Sequence, residues 1–181
     1  IASESSDRSL WDITRNILDA ANSTAAIGIA LSGLADGSLI RQNSFANMRV
    51  GVKLRPGNNV RVVENEFIAG KLEGDSSVPC VNVWLVPAEP STNSGQGNTI
   101  SWNKFGSERL SPNDRRILIA DEEAGAATIG AKMPVTDTES TGYMVGVEVI
   151  SNSVYGRGSS CKAFVTSTTK NAGVRVGKNT Y

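Results

Sequence analysis

Five short segments of the chain repeat one order of apolar and polar positions. They are Leu39-Ile40-Arg41-Gln42-Asn43-Ser44-Phe45, Arg61-Val62-Val63-Glu64-Asn65-Glu66-Phe67 and Thr99-Ile100-Ser101-Trp102-Asn103-Lys104-Phe105, followed by Glu148-Val149-Ile150-Ser151-Asn152-Ser153-Val154 and Arg175-Val176-Gly177-Lys178-Asn179-Thr180-Tyr181. In each, a β-branched residue stands three before the Asn and a large apolar residue stands two after it. A strand alternates faces with period two, so Val60 and Val62 share a face, as do Val147 and Val149. Asn tolerates a left-handed backbone better than other residues with a side chain, so it is expected to make the bend itself. Beyond the bend, Phe45, Phe67, Phe105, Val154 and Tyr181 turn back inward. Stacking the segments would align the Asn side chains into a ladder of amide hydrogen bonds.

A second strand signal precedes nearly every motif: Ile27-Gly28-Ile29-Ala30-Leu31, Val50-Gly51-Val52-Lys53-Leu54, Val81-Asn82-Val83-Trp84-Leu85, Arg116-Ile117-Leu118-Ile119 and Lys162-Ala163-Phe164-Val165. Each alternates as a half-buried strand does. The unit is strand, turn, strand, Asn bend, short strand, loop. The step from Asn43 to Asn65 is 22 residues, which suits one solenoid coil, while steps of 38, 49 and 27 require insertions. Gly, Pro, Ser, Asn and Glu crowd residues 70–77 and 87–97, which read as loops thrown out of the coil, and 120–143 is the longest insertion.

Residues 6–21 place Leu10, Ile13, Ile17, Leu18 and Ala21 near helical spacing, with Ser6, Asp7 or Ser9 as caps. The fold expected is therefore all-β: a right-handed parallel β-helix solenoid of about five coils over residues 25–181, with loop insertions, preceded by a short helical cap in residues 1–24. A β-sandwich of short strands is the alternative, but it does not explain a recurrent Asn at one offset. The chain starts at Ile1 and stops inside a motif at Tyr181, so it reads as a fragment of a longer one.

Composition narrows the chemistry. Lys+Arg and Asp+Glu are equal at 18, giving no general attraction to nucleic acid or an anionic membrane. Few aromatics accompany the basic residues, so no stacking groove for nucleic acid is read. The apolar runs are far too short to cross a bilayer, and no signal peptide opens the chain. There is no histidine, which excludes Ser-His-Asp and Cys-His nucleophile systems and His-ligated metals within this chain. Cys80 and Cys161 form no CxxC pair and read as small buried hydrophobes. Two coils apart, they would stand about 10 Å from each other, beyond a disulfide's reach, so both are expected as thiols.

The five Asn motifs resemble those of the pectate-lyase-type right-handed parallel β-helix superfamily. The irregular insertions make the chain most similar, within it, to bacteriophage tailspike and tail-fibre β-helices. That resemblance implies a homotrimer in an extracellular virion tail, recognising and in some members cleaving a bacterial surface polysaccharide. It also implies that ligands lie along the outer face of one parallel sheet. On the strand preceding each Asn motif, Ile27, Ile29, Leu31, Val52, Leu54, Val81, Val83 and Leu85 would point inward. Lys53, Arg55, Asn82 and Trp84 would point outward and are the candidate glycan-binding residues, since an exposed indole stacks on sugar C–H faces while polar groups address hydroxyls. The competing reading packs Trp84 under the 87–97 loop or in a subunit interface.

Glycosidic cleavage generally needs two carboxyl groups, one protonated and one ionised. Asp121, Glu122 and Glu123 follow a strand and are the candidate catalytic acids, against the plainer reading of a solvated charge run. Glu73 and Asp75 lie in a loop, and Glu64 and Glu66 flank an Asn bend. A lyase would use a Lys or Arg base with carboxylate-bound calcium. Lys53 and Arg55 supply the base type without an acidic cluster, so hydrolysis is favoured over elimination. No cofactor or metal site is read. Trp102 and Leu118 are the exposed apolar groups expected to support trimer contacts. A structural shaft without ligand, or a fragment of a secreted polysaccharide lyase or epimerase, remain the alternatives.

Overall fold

The computed structural model describes residues 2–3, 10–20, 26–31, 36–55, 58–69, 80–87, 96–107, 115–120, 140–156, 165–167 and 169–180. Regular structure there is entirely β, arranged in three sheets. The first sheet runs β1 (Ala2–Ser3), β4 (Ile27–Leu31), β7 (Val50–Leu54), β10 (Val81–Leu85), β13 (Arg115–Ile119), β16 (Val165–Ser167). The second runs β2 (Asp12–Thr14), β5 (Leu39–Arg41), β8 (Arg61–Val63), β11 (Thr99–Ser101), β14 (Ser140–Ile150), β17 (Thr169–Gly177). The third runs β3 (Ile17–Asp19), β6 (Ser44–Ala46), β9 (Glu66–Ala69), β12 (Lys104–Ser107), β15 (Ser153–Gly156). The chain visits the sheets in rotation, and each strand pairs in parallel with its equivalent one circuit later, for example β8 with β11. The result is a solenoid-like stack of six rungs, compatible with a β-helix.

The N-terminal segment differs from expectation. Residues 10–20 contain no helix; they form β2, a turn at Arg15-Asn16, and β3. Asp12–Thr14 pair with Leu39–Arg41, and Ile17–Asp19 with Ser44–Ala46. The local helical spacing loses to long-range pairing, because Ile13 and Leu18 stand three before and two after Asn16, as in the other motifs. This is the extra rung beyond the expected five.

Inside the rungs, Ile29, Val52, Val83 and Ile117 stack on the first sheet, and Ile13, Ile40, Val62, Ile100 and Val149 on the second. On the third, Phe45, Phe67 and Phe105 stack nearly parallel, with centroids 4.7 and 5.2 Å apart, close to the strand spacing that brings them together. Cys80 is a buried thiol, while Cys161 lies outside the described residues.

The Asn ladder joins the second sheet to the third. Each Nδ2 donates to the next rung's Oδ1, from Asn16 to Asn43, Asn65, Asn103, Asn152 and Asn179, at 2.9–3.0 Å. The same Oδ1 atoms accept the preceding Asn backbone N–H. The second Nδ2 hydrogen finds a carbonyl one rung back: Asn103 donates to Val62 O at 2.9 Å. Interior Asn amides are thus satisfied on both ends while buried.

The bend is made differently from the sequence expectation. The left-handed residues are those immediately before each Asn: Arg15, Gln42, Glu64, Trp102, Ser151 and Lys178, with φ between 55° and 60°. Asn supplies hydrogen bonds at the corner, and its predecessor supplies the turn. The opposite corner, between the first and second sheets, has its own left-handed column: Gly37, Asn59, Gly97, Gly146 and Gly173.

Candidate functional site

The middle of the first sheet, β4 to β13, buries both faces, so these strands are not the half-buried ones expected. β7 and β10 are buried throughout, as two-sided parallel strands are. Trp84 points away from the core formed by Val83 and Leu85, yet it is 0% exposed and packs in a second cluster with Val86, Leu118 and Ala120. Its Nε1 donates to Ala120 O at 2.9 Å, and Lys53 Nζ sits 4.6 Å from the ring centroid. That cation–π contact offsets part of the cost of burying the ammonium. Asn82 is also buried, accepting from Arg116 Nη1 at 3.1 Å. Of the four candidate sugar-binding residues, the fold therefore gathers Lys53, Asn82 and Trp84 beneath the surface and leaves Arg55 exposed. Leu118, expected at the surface, is buried with them. Asp121, Glu122 and Glu123 lie outside the described residues, as do Glu73 and Asp75.

The open concavity lies elsewhere, along the Asn corner. A groove of about 550 Å³ runs across four rungs. Its walls are the residues on either side of each Asn: Arg15 and Ile17, Gln42 and Ser44, Glu64 and Glu66, Trp102 and Lys104. Four rungs at the parallel-strand spacing give a length of about 14 Å. Trp102 is 66% exposed and Ile17 86%, both large apolar groups held out in solvent. The rigid ladder below fixes where these side chains start, and the left-handed backbone aims one wall of them outward.

Hydrogen bonds order the wall. Arg15 Nε donates to Gln42 Oε1 at 3.1 Å, and Gln42 Nε2 donates to Glu64 Oε2 at 2.9 Å. Arg41 Nε reaches the same Glu64 oxygen at 2.9 Å. Hydrogen bonding by Arg41, then by Gln42, holds the Glu64 carboxyl below the usual carboxylate range, so it is an anion near neutrality. On the other wall, Tyr155 extends from β15 across Gly106 and donates to Glu66 Oε1 at 2.9 Å. Partial burial, with Glu66's hydrogen bond and charge, pushes the phenol up to about 12. Gly106 is needed there, since a Cβ would lie 2.5 Å from Tyr155 Cζ.

The two corners form an internal comparison. A left-handed residue with a side chain costs about 1–2 kcal/mol, which glycine avoids and asparagine reduces. At one corner the left-handed residues are Gly or Asn in five successive rungs; at the other they are Arg, Gln, Glu, Trp, Ser and Lys. Strain is accepted at the corner where side chains line the groove. Sequence reasoning did mark Glu64 and Glu66 as flanking a bend and Trp102 as exposed. It did not join them, because the strain was attributed to the Asn. Among the described residues no cluster of His, Cys, Asp or Glu is placed to hold a metal ion. No protein-family model, curated protein or solved structure matches the chain.

Proposed function

We propose that this chain is a stretch of right-handed parallel β-helix of the pectate-lyase type, and that it works as a tailspike- or tail-fibre-like module recognising a bacterial surface polysaccharide. The observation carrying the reading is the left-handed Trp102 standing in solvent over a rung-crossing groove, flanked by amide and charged side chains. Indole faces stack on sugar rings, while Gln42, Glu64, Glu66 and Lys104 offer both donors and acceptors to hydroxyls. A groove running along the stack suits a linear polymer. Recognition fits these acids better than cleavage, because Glu64 is held ionised and Glu66 is occupied by Tyr155. The expected setting is an extracellular homotrimer on a virion tail.

A second reading is favoured by Ile17 and Trp102, exposed apolar groups at opposite ends of the same corner. In a ligand-free shaft, that edge would be the contact between protomers. One experiment addresses both. Biolayer interferometry of wild type and Trp102→Ala against a panel of bacterial surface polysaccharides is expected to show binding that the substitution weakens about tenfold or more. Light scattering on the same samples reads the oligomer. Dissociation by Trp102→Ala without any glycan binding by wild type would favour the shaft.

A further inference from the structure

Resting on the recognition reading above, we infer that the corner groove selects an uncharged glycan bearing adjacent hydroxyls and discriminates against acidic polysaccharides. Glu64 spends Oε2 on Arg41 and Gln42, leaving Oε1 open among the described residues. Glu66 gives Oε1 to Tyr155, leaving Oε2 open. The two acids stand on opposite walls of one rung, either side of Asn65, in the middle of the groove. The next rung supplies Trp102 beside the first and Lys104 beside the second, and Lys104 is the register partner of Glu66. Its ammonium makes no hydrogen bond or ion pair with any described residue.

Charge then decides the ligand class. Arg41 cancels Glu64 through a direct ion pair, and Lys104 faces Glu66 across a single rung. The other cations of this column, Lys178 two rungs from Trp102 and Arg15 three rungs away, lie about 10 and about 14 Å off, beyond the Debye length of about 8 Å at physiological salt. Among the described residues a sugar stacked on Trp102 therefore meets balanced charge, with a carboxylate on each wall and an ammonium. Adjacent hydroxyls match this, one donating to a carboxylate and its neighbour accepting from Lys104. A uronate or sialate carboxylate in the same place would upset that balance, adding a negative charge beside Glu64 and Glu66 whose cations, Arg41 and Lys104, are already matched, so electrostatics selects against it.

The test uses the chain with immobilised neutral polymers (dextran, mannan and neutral O-antigen polysaccharides) and acidic ones (polygalacturonate, polysialate, hyaluronate). Binding is measured at about 0.03 M and about 0.5 M salt. The expected result is binding confined to the neutral class, with Kd changing by less than about twofold between the two salts. Glu66→Gln and Lys104→Gln should each weaken it about tenfold, since each removes a charge-assisted hydrogen bond. Both residues are accessible, so an unchanged melting temperature confirms that folding is intact. Acidic polymers binding with a steep loss in salt would overturn the charge inference while leaving glycan recognition standing. Binding to neither class would overturn both.

Discussion

The Asn ladder makes its strongest claim at Asn103. Its Oδ1 receives the Asn65 backbone N–H at 2.9 Å and Asn65 Nδ2 at 3.0 Å. Its Nδ2 reaches Val62 O at 2.9 Å and Asn152 Oδ1 at 3.0 Å. Asn103→Ala removes all four and orphans the Asn65 backbone N–H inside a rung that excludes water, while Asn65 Nδ2 keeps the Ile40 and Val63 carbonyls. An orphaned buried donor costs about 1–3 kcal/mol, so the substitution should cost about that much. That is a large share of the ~5–15 kcal/mol typical of a domain. Asn16, at the first rung, is the control. It is half-buried, and its side chain donates to Asn43 Oδ1 and Thr14 O. Asn16→Ala strands only acceptors that keep other partners or reach solvent, and should cost about 1 kcal/mol or less. The assay is urea unfolding of both variants, reading the shift in midpoint at constant slope. Equal losses for Asn16 and Asn103, or a loss at Asn103 under about 1 kcal/mol, would refute the claim that the amides are held by one another.

Other consequences can be checked alongside it. Trp102→Asn relieves part of the left-handed strain and is expected to stabilise the fold by about 0.5–1 kcal/mol while losing glycan binding; a fall in melting temperature would count against the strain argument. Gly51→Ala would set a Cβ 2.6 Å from Phe67 Cδ1 and 2.7 Å from the Asn82 carbonyl, so calorimetry should show a loss of about 1–3 kcal/mol. Tyr155 should titrate near 12 in an ultraviolet tyrosinate titration, and Tyr155→Phe should remove that component. Because its folded pKa is raised from 10, its contribution to stability is complete below pH 10 and disappears as pH rises towards about 12. Glu64 has the opposite sign: its folded pKa is lowered, so its small contribution is present above the unfolded value and vanishes in acid. Urea midpoints for Glu64→Gln should therefore depend less on pH in the acid range than wild type.

Local pattern carries the repeat but not everything built on it. The Asn offset is legible because the corner demands the same side chain on every rung, with a β-branched residue before it and a large apolar one after. The sixth copy at Asn16 is present in the sequence, but Leu10, Ile13, Ile17 and Leu18 also fit a helix. Only the neighbouring rung decides between them, through pairing with Leu39–Arg41. Trp84 reads as an outward sugar platform because alternation reports which face a side chain takes and says nothing of what covers that face. Its contacts with Lys53 and Ala120 come from positions 31 earlier and 36 later in the chain. The groove escapes a linear reading for a related reason. Glu64, Glu66 and Trp102 become neighbours only when rungs 38 residues apart are stacked. The assignment of the bend to Asn also concealed the strained column beside it.

The steps between successive ladder residues are 27, 22, 38, 49 and 27, yet the amide links they join are all 2.9–3.0 Å. Loop closure grows only logarithmically with length, so passing from a 22-residue to a 49-residue step adds about 0.7 kcal/mol. Selection can therefore lengthen, shorten or exchange the excursions between rungs at little cost to the stack beneath. The corner, where every position is tied to the rungs above and below, changes one side chain at a time. Such a molecule can evolve at two speeds, with connecting sequence freely replaced between rungs whose geometry is inherited nearly intact.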